Sequence, residues 1–282
     1  MMLCLLLAAL LSGCGAKERD TAAEDTSISE QIRQEQEESK ETEAEQASEK
    51  VVDVKMPDAG ILIGKSSIWQ WKDTENRTLL TAKVNNISVG LCENQEMEKN
   101  LAAFFQEREA AFLDTLKIYR ELSIQALTET ETAGTEKIAE FRPYYLEKSY
   151  TAVYTGERII SIVEDMVVDT GDGAPETVRT AYNFDAADGR RLVLSDVITN
   201  QEAFLQECDS YLSQEITHSP AADGLYADYA SRLACVLTDS TWYQKEADFY
   251  VICNPGLVAP ASVGILEFML PFAADFMDGQ SE

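Results

Sequence analysis

The sequence predicts an α+β fold, with antiparallel sheets and packed helices in two sequential subdomains over 51–175 and 176–282. Three observations predict it. Runs of β-branched and aromatic residues between 141 and 184 are separated by glycine- and aspartate-bearing turns, the pattern of an antiparallel meander. Before them, a long stretch repeats its apolar residues at helical spacing. After a second helical region the chain returns to strand-like runs at 249–252 and 264–270, joined by a Pro/Gly-rich loop.

Taken in order, residues 3–11 form an apolar run of signal-peptide length, too short to span a bilayer. Leu11-Ser12-Gly13-Cys14 closes it and reads as a lipobox, so 1–14 is expected to be a lipoprotein signal peptide with Cys14 as the lipidated residue. Signal peptides ordinarily open with Lys or Arg, whereas Met1-Met2 leads straight into the apolar run, and a translation start upstream is expected. From 15 to 50 the chain is Glu, Gln, Ser, Thr, Ala and Lys with almost no large apolar residue, which cannot bury enough surface to offset ordering entropy. It reads as a disordered acidic tether, holding a domain about 35 Å from its anchor as a random coil.

Folded structure is expected from about Val51. Ile61-Leu62-Ile63 and Ile68-Trp69-Gln70-Trp71 read as short strands, and 78–91 as another ending in Gly90. Met97, Leu101, Phe104, Phe105, Phe112, Leu116 and Tyr119 recur at three- and four-residue steps, predicting a helix over 93–122 whose aromatic stripe is core. Strands follow at 144–145, 150–154, 159–168 and 178–184, then a short one at Leu192-Val193-Leu194. Phe204, Leu205, Cys208, Tyr211 and Leu212 give the apolar face of a helix over 201–216, and a further helix is expected over 225–237.

The net charge is −27, and 15–50 holds twelve acids against five bases, so −20 belongs to 51–282. Such a surface repels nucleic acid phosphates and steers cationic partners toward itself. Outside the leader and Cys14, the cysteines are Cys92, Cys208, Cys235 and Cys253; two disulfides in any of three pairings, or free buried thiols, both remain open. His218 is the single histidine and lies in a polar helix-end setting, which argues against a nucleophilic triad and a Cys/His zinc site. Asp169, Asp172 and Glu176 stand in a glycine-rich turn without EF-hand spacing, so a solvated hairpin turn is expected there. No catalytic residue, metal or cofactor is expected.

Tyr182-Asn183-Phe184-Asp185, Asp188-Gly189-Arg190-Arg191-Leu192 and Leu194-Ser195-Asp196 form a specific signature, joined later by Asp248-Phe249-Tyr250, Ala259-Pro260, Glu267-Phe268 and Leu270-Pro271-Phe272. These segments resemble the extracytoplasmic domain of unknown function found in the lysozyme-sensing anti-sigma-V factor family and in PdaC-type peptidoglycan deacetylases. The stretch 79–154 is similar, more weakly, to the domain that precedes it there. Gly171-Asp172-Gly173-Ala174-Pro175 departs from the Gly-Gly-Ala-His-like turn common in that family, and Gly256 and Ala261 stand where it carries aromatics. The resemblance implies a stand-alone, non-enzymatic lipoprotein on the surface of a Gram-positive bacterium, binding or sensing an envelope partner such as a lysozyme-like cationic protein. The alternatives are a wall-glycan binding or processing module, or a structural envelope protein. Exposed loops on a rigid sheet are where binding concentrates, which makes Asp169, Asp172, Gly173, Asn254 and Pro260 the candidate partner-binding residues.

Cys14→Ala is expected to block lipid attachment and release the protein from membranes, as read by labelled-lipid incorporation and fractionation. Limited proteolysis of the wild type is expected to cut first within 16–50 and leave a stable fragment beginning near Val51. A membrane-bound protein that takes up no lipid would contradict the Cys14 assignment.

Overall fold

The computed structural model describes residues 54–55, 61–90, 94–132, 134 and 140–277, all within one compact unit; the leader, Cys14, the 15–50 segment and Cys92 lie outside the described residues. The architecture is α+β, and among the described residues two sheets follow one another along the chain. The larger sheet has seven strands in sequence order: β1 (Val54–Lys55), β2 (Ile61–Lys72), β3 (Thr78–Val89), β4 (Tyr144–Thr155), β5 (Ile159–Asp169), β6 (Glu176–Asp185) and β7 (Arg191–Leu192). The smaller has three, β8 (Trp242–Lys245), β9 (Asp248–Cys253) and β10 (Leu266–Leu270), with β9 central. The β5–β6 turn contains position 175, and both of these strands belong to the larger sheet.

Between β3 and β4 runs α1 (Gln95–Thr132), 38 residues and about 57 Å long. Asn94 starts it, its side-chain oxygen accepting from the backbone N–H of Glu96 and Met97. Because the chain crosses from one strand to its neighbour through this helix, β3 and β4 pair parallel. This parallel pair is an addition to the expected antiparallel sheets; the other strand pairs, from β1·β2 to β8·β9·β10, are antiparallel. α1 also runs past the expected end near 122. Its last turns bury only Ser123 and Leu127, and Thr128 and Thr130 bond back to the carbonyls of Ile124 and Ala126.

The apolar stripe of α1 covers one face of the larger sheet. Met97, Leu101 and Phe105 pack with Tyr150, Ala152, Ile160, Ile162, Tyr182 and Phe184. Phe104 meets Tyr182 and Phe184 edge-on, each at 5.0 Å between centroids. On the opposite face the smaller sheet docks through Tyr243 and Ile252 against Val163 and Ala181. Its far face carries the second core, in which Trp242 stacks on Phe249 at 5.0 Å and Phe204, Cys208 and Leu212 of α3 (Gln201–Glu215) close the layer. The order of layers is therefore helix, sheet, sheet, helix. Among the described residues no helix is long and apolar enough to cross a membrane.

Three further expectations are corrected. The strand at Leu192 ends there, and Leu194 opens a single helical turn, α2 (Leu194–Val197). The expected helix at 225–237 contracts to α4 (Tyr229–Leu233): Tyr226 before it bonds its N–H to the carbonyl of Val258, and after it Cys235 and Val236 bond back in tighter turns to Arg232 and Leu233. In α3, Leu205 is exposed while Phe204, Cys208 and Leu212 are buried, so the stripe is narrower than its composition.

The two sheets are joined by a buried polar chain. The backbone N–H of Gln244 donates to Ser161 Oγ (3.1 Å), Ser161 Oγ donates to Asn183 Oδ1 (2.6 Å), and Asn183 Nδ2 donates to the carbonyl of Trp242 (2.7 Å). Ser161 and Asn183 are fully buried. Asn183→Ala strands both the Ser161 hydroxyl and the Trp242 carbonyl, so unfolding free energy is expected to fall by roughly 2–4 kcal/mol. Urea denaturation with an unchanged midpoint would show that the chain does not hold the sheets together.

Candidate functional site

The acidic turn between β5 and β6 is shaped by its own carboxylates. Asp169 Oδ1 accepts from the N–H of Gly171 (2.8 Å), and the Thr170 hydroxyl donates to Asp172. Gly171 has φ +79°, and a Cβ there would sit 2.6 Å from Arg142 Cβ, so the turn requires glycine. Asp172 and Gly173 are exposed; Asp169 is half-buried. Three of the sequence-derived candidates thus share one turn.

Asn254 is differently employed. Its Oδ1 accepts from Arg179 N–H (2.7 Å) and its Nδ2 donates to Arg179 O (2.9 Å), so the side-chain amide replaces a strand along the open edge of β6. The neighbouring N–H on that edge, from Ala181, goes to the carbonyl of Ser240 (2.8 Å). Pro260 is exposed and leads into the 3-10 turn Ala261–Val263, beside Gly224 rather than beside the acidic turn.

The signature segment has a structural explanation. Tyr182 and Phe184 point at α1, and Asn183 points at the smaller sheet. Beyond β6 the chain turns on its own aspartates: Asp185 Oδ1 accepts from Ala187 N–H and Asp188 Oδ1 from Arg190 N–H, each at 2.8 Å. Gly189, at φ +72°, lies so close to α1 that a Cβ would come within 2.7 Å of the Met97 carbonyl. Asn94 and Asn100 donate their amides to the carbonyls of Ala187 and Asp188. The loop is the seat for the first turns of α1. Asp196 Oδ2 then accepts from Val193 N–H (2.9 Å) and from Arg190 Nη1 (3.1 Å), fixing α2 to the same loop.

A cleft of about 440 Å³ opens against this loop, lined by Tyr154, Glu157, Arg158 and Ile159 from the β4–β5 hairpin, Asp185, Ala187, Arg190 and Leu192, Asp196 and Val197, and Gln244 and Met277. Sequence reading missed it, since its walls come from segments far apart in the chain. The signal available was the signature itself, which contributes Asp185, Arg190, Leu192 and Asp196.

Under α1 lies a second feature that the strand pattern concealed. Glu164, 4% exposed, sits mid-strand on β5 and receives Arg108 Nη2 (3.1 Å) and the Tyr182 hydroxyl (3.4 Å). Lys148, also buried, donates to the carbonyl of Arg108 (3.1 Å) and lies over Phe112 and Tyr150. Arg108 and Arg191 both approach the Tyr182 ring. Burial pushes the Lys148 ammonium down to about 8, and burial with the Glu164 charge pushes the Tyr150 and Tyr182 phenols up. Glu164 Oε2, Arg108 Nε and Arg191 Nε are buried without a partner.

His218 is exposed at the end of the 3-10 turn Ile216–His218. Cys208, Cys235 and Cys253 are free thiols; burial pushes Cys208 up to about 12 and Cys253 to about 11, so neither is a thiolate at neutral pH. Among the described residues no group of three or more His, Cys, Asp or Glu is arranged to hold a metal ion.

No family model and no curated protein matches the chain. Among solved structures it is similar to a member of the DUF3298 family from Bacteroides fragilis, 15% identical with a TM-score of 0.55, the match covering 76% of this chain and 94% of that one. It is also similar to a DUF3298 family protein from Pseudomonas aeruginosa, 11% identical with a TM-score of 0.47, covering 76% of this chain and 94% of that one. The first likeness establishes a shared fold.

The Lys148 site generates a pH test. Its folded pKa lies below the unfolded value of 10.5, so between about pH 8 and 10.5 the unfolded chain binds more protons and this group's contribution to stability rises with pH. The two buried thiols act oppositely, which makes the comparison with Lys148→Met the clean measurement. Over that window the stability difference is expected to move in favour of the wild type by roughly 3 kcal/mol. Parallel pH profiles would place the Lys148 ammonium in water.

Proposed function

We propose that this chain is a non-catalytic binding module, held outside the cytoplasm by a lipid on Cys14, that captures a cationic partner in the cell envelope, with a lysozyme-like protein as the candidate. The observation that carries this reading is the −20 borne by 51–282, which presents an acidic turn at the end of a rigid hairpin. Charge of this kind sets encounter rate and partner choice, while affinity rests on a few buried contacts. The sequence resemblance and the shared DUF3298 fold support the same reading. Asp172 and Gly173 are the exposed tip, Asp169 holds its shape, and Asn254 ties the following strand to the smaller sheet. Membrane attachment would set the domain at the wall, where such a partner arrives.

Association with lysozyme, followed by stopped flow, is expected to be fast at low salt and to slow markedly as the screening length falls below about 10 Å. Reversing Asp169 and Asp172 to lysine should lower the on-rate several-fold. Calorimetry without heat at low salt, together with unchanged lysozyme activity, would reject the cationic-partner reading.

A further inference from the structure

We infer that the cleft beside the signature loop is a binding site for a neutral saccharide of one or two rings, distinct from the acidic turn and independent of the cationic-partner reading. Its volume, about 440 Å³, lies in the range of small-molecule sites. The argument for a neutral ligand is electrostatic. Arg190 is shared between Asp196 (3.1 Å) and Asp185 (4.0 Å), so these three charges of the lining already face one another, and Glu157 and Arg158 add one charge of each sign. A strongly cationic or anionic ligand would have to break that arrangement, whereas a hydroxyl can bond to it without displacing a charge.

The polar atoms available for such bonds are held in place. Asp185 commits Oδ1 to Ala187 N–H, so Oδ2 faces only the long contact to Arg190. Asp196 commits Oδ2 to Val193 N–H and to Arg190, and Oδ1 remains to accept. Gln244 donates Nε2 to the carbonyl of Glu246, which leaves its own carbonyl oxygen. Three acceptors with a guanidinium among them are groups that adjacent sugar hydroxyls can bridge. Each carboxylate is positioned by a backbone N–H on its other oxygen, so little ordering is required on binding.

Between the charged groups of the lining, part of the wall is apolar and can meet the C–H face of a sugar ring. Tyr154 lines the cleft with its ring laid on Gly156, where a Cβ would come within 2.4 Å of the ring atoms, and Ile159 adds a buried aliphatic floor. An amphipathic ligand matches this pairing of an aromatic wall with a row of fixed acceptors.

The experiment titrates the intact chain by ligand-observed NMR and calorimetry with N,N′-diacetylchitobiose and cellobiose, and in separate arms with trilysine and inorganic phosphate. At least one disaccharide is expected to bind, with an affinity unchanged between about 50 and 300 mM salt because no net charge is exchanged. Tyr154→Ala and Asp185→Asn are each expected to weaken it about tenfold, and Lys117→Ala on the exposed face of α1 to leave it unaltered. Binding of neither disaccharide to the wild type overturns the proposal, as does binding of trilysine or phosphate with loss on the same substitutions. Should one variant fail to fold, the other and the wild-type titration still decide it. Salt-insensitive disaccharide binding alongside absent lysozyme binding would reject the cationic-partner reading alone.

Discussion

The hairpin of β5 and β6 is covered on both faces, by α1 on one side and by the smaller sheet on the other, and the rest of the fold depends on that double burial. Strands in this position have no solvent face, so Ile159 through Glu164 and Thr180 through Phe184 are buried without alternation. A polar group left unpaired on those segments is costly. Ser161 and Asn183 pair with the backbone of β8, and the open edge of β6 is satisfied in turn by β7, the Ser240 carbonyl and the Asn254 amide. The smaller sheet is thereby fixed in register against the larger by hydrogen bonds as well as by apolar contact.

The two faces solve the polar problem differently. Toward the smaller sheet the chain of bonds is neutral and ends on backbone groups, an arrangement that is worth its full strength in a low-dielectric interior. Toward α1 the polar groups are charged, with Glu164 facing Arg108, Lys148 close by, and Arg108 and Arg191 flanking Tyr182. Ion pairs at such depth contribute little net stability, because desolvation offsets most of the attraction, yet removing one partner is costly. The helix is consequently held by its aromatic stripe and by the loop that seats its first turns, while the charges restrict the alignments it can adopt. Depression of the Lys148 ammonium reflects that burial.

The signature segment serves architecture first. Asp185, Asp188, Gly189 and Asp196 form turns that seat α1 and α2, and the cleft is the space left where this seat meets the β4–β5 hairpin and the end of β8. Architecture and recognition are compatible in one loop because each carboxylate uses one oxygen for the backbone. The acidic turn differs in kind: it projects charge from the tip of a hairpin and leaves the interior unaffected.

Local sequence determined the α+β class, the meander from 144 to 185, the helical stripe from Met97 to Tyr119, the return to strand at 249 and 266, and the excess of negative charge. Each is legible because periodicity and turn chemistry act over a few residues. Tertiary structure alone decided that β3 and β4 run parallel, since direction follows from where α1 crosses, and that 178–184 and 249–252 stack rather than pair. It turned Asn254 from a loop residue into a surrogate strand, and it placed Glu164 in the interior of a strand that composition reads as ordinary. It also assembled the cleft from Tyr154, Asp185, Asp196 and Gln244, residues that no local pattern connects. In each of these cases the deciding energy is a contact between segments distant in sequence, where a buried polar group must be satisfied by whatever the packing brings to it.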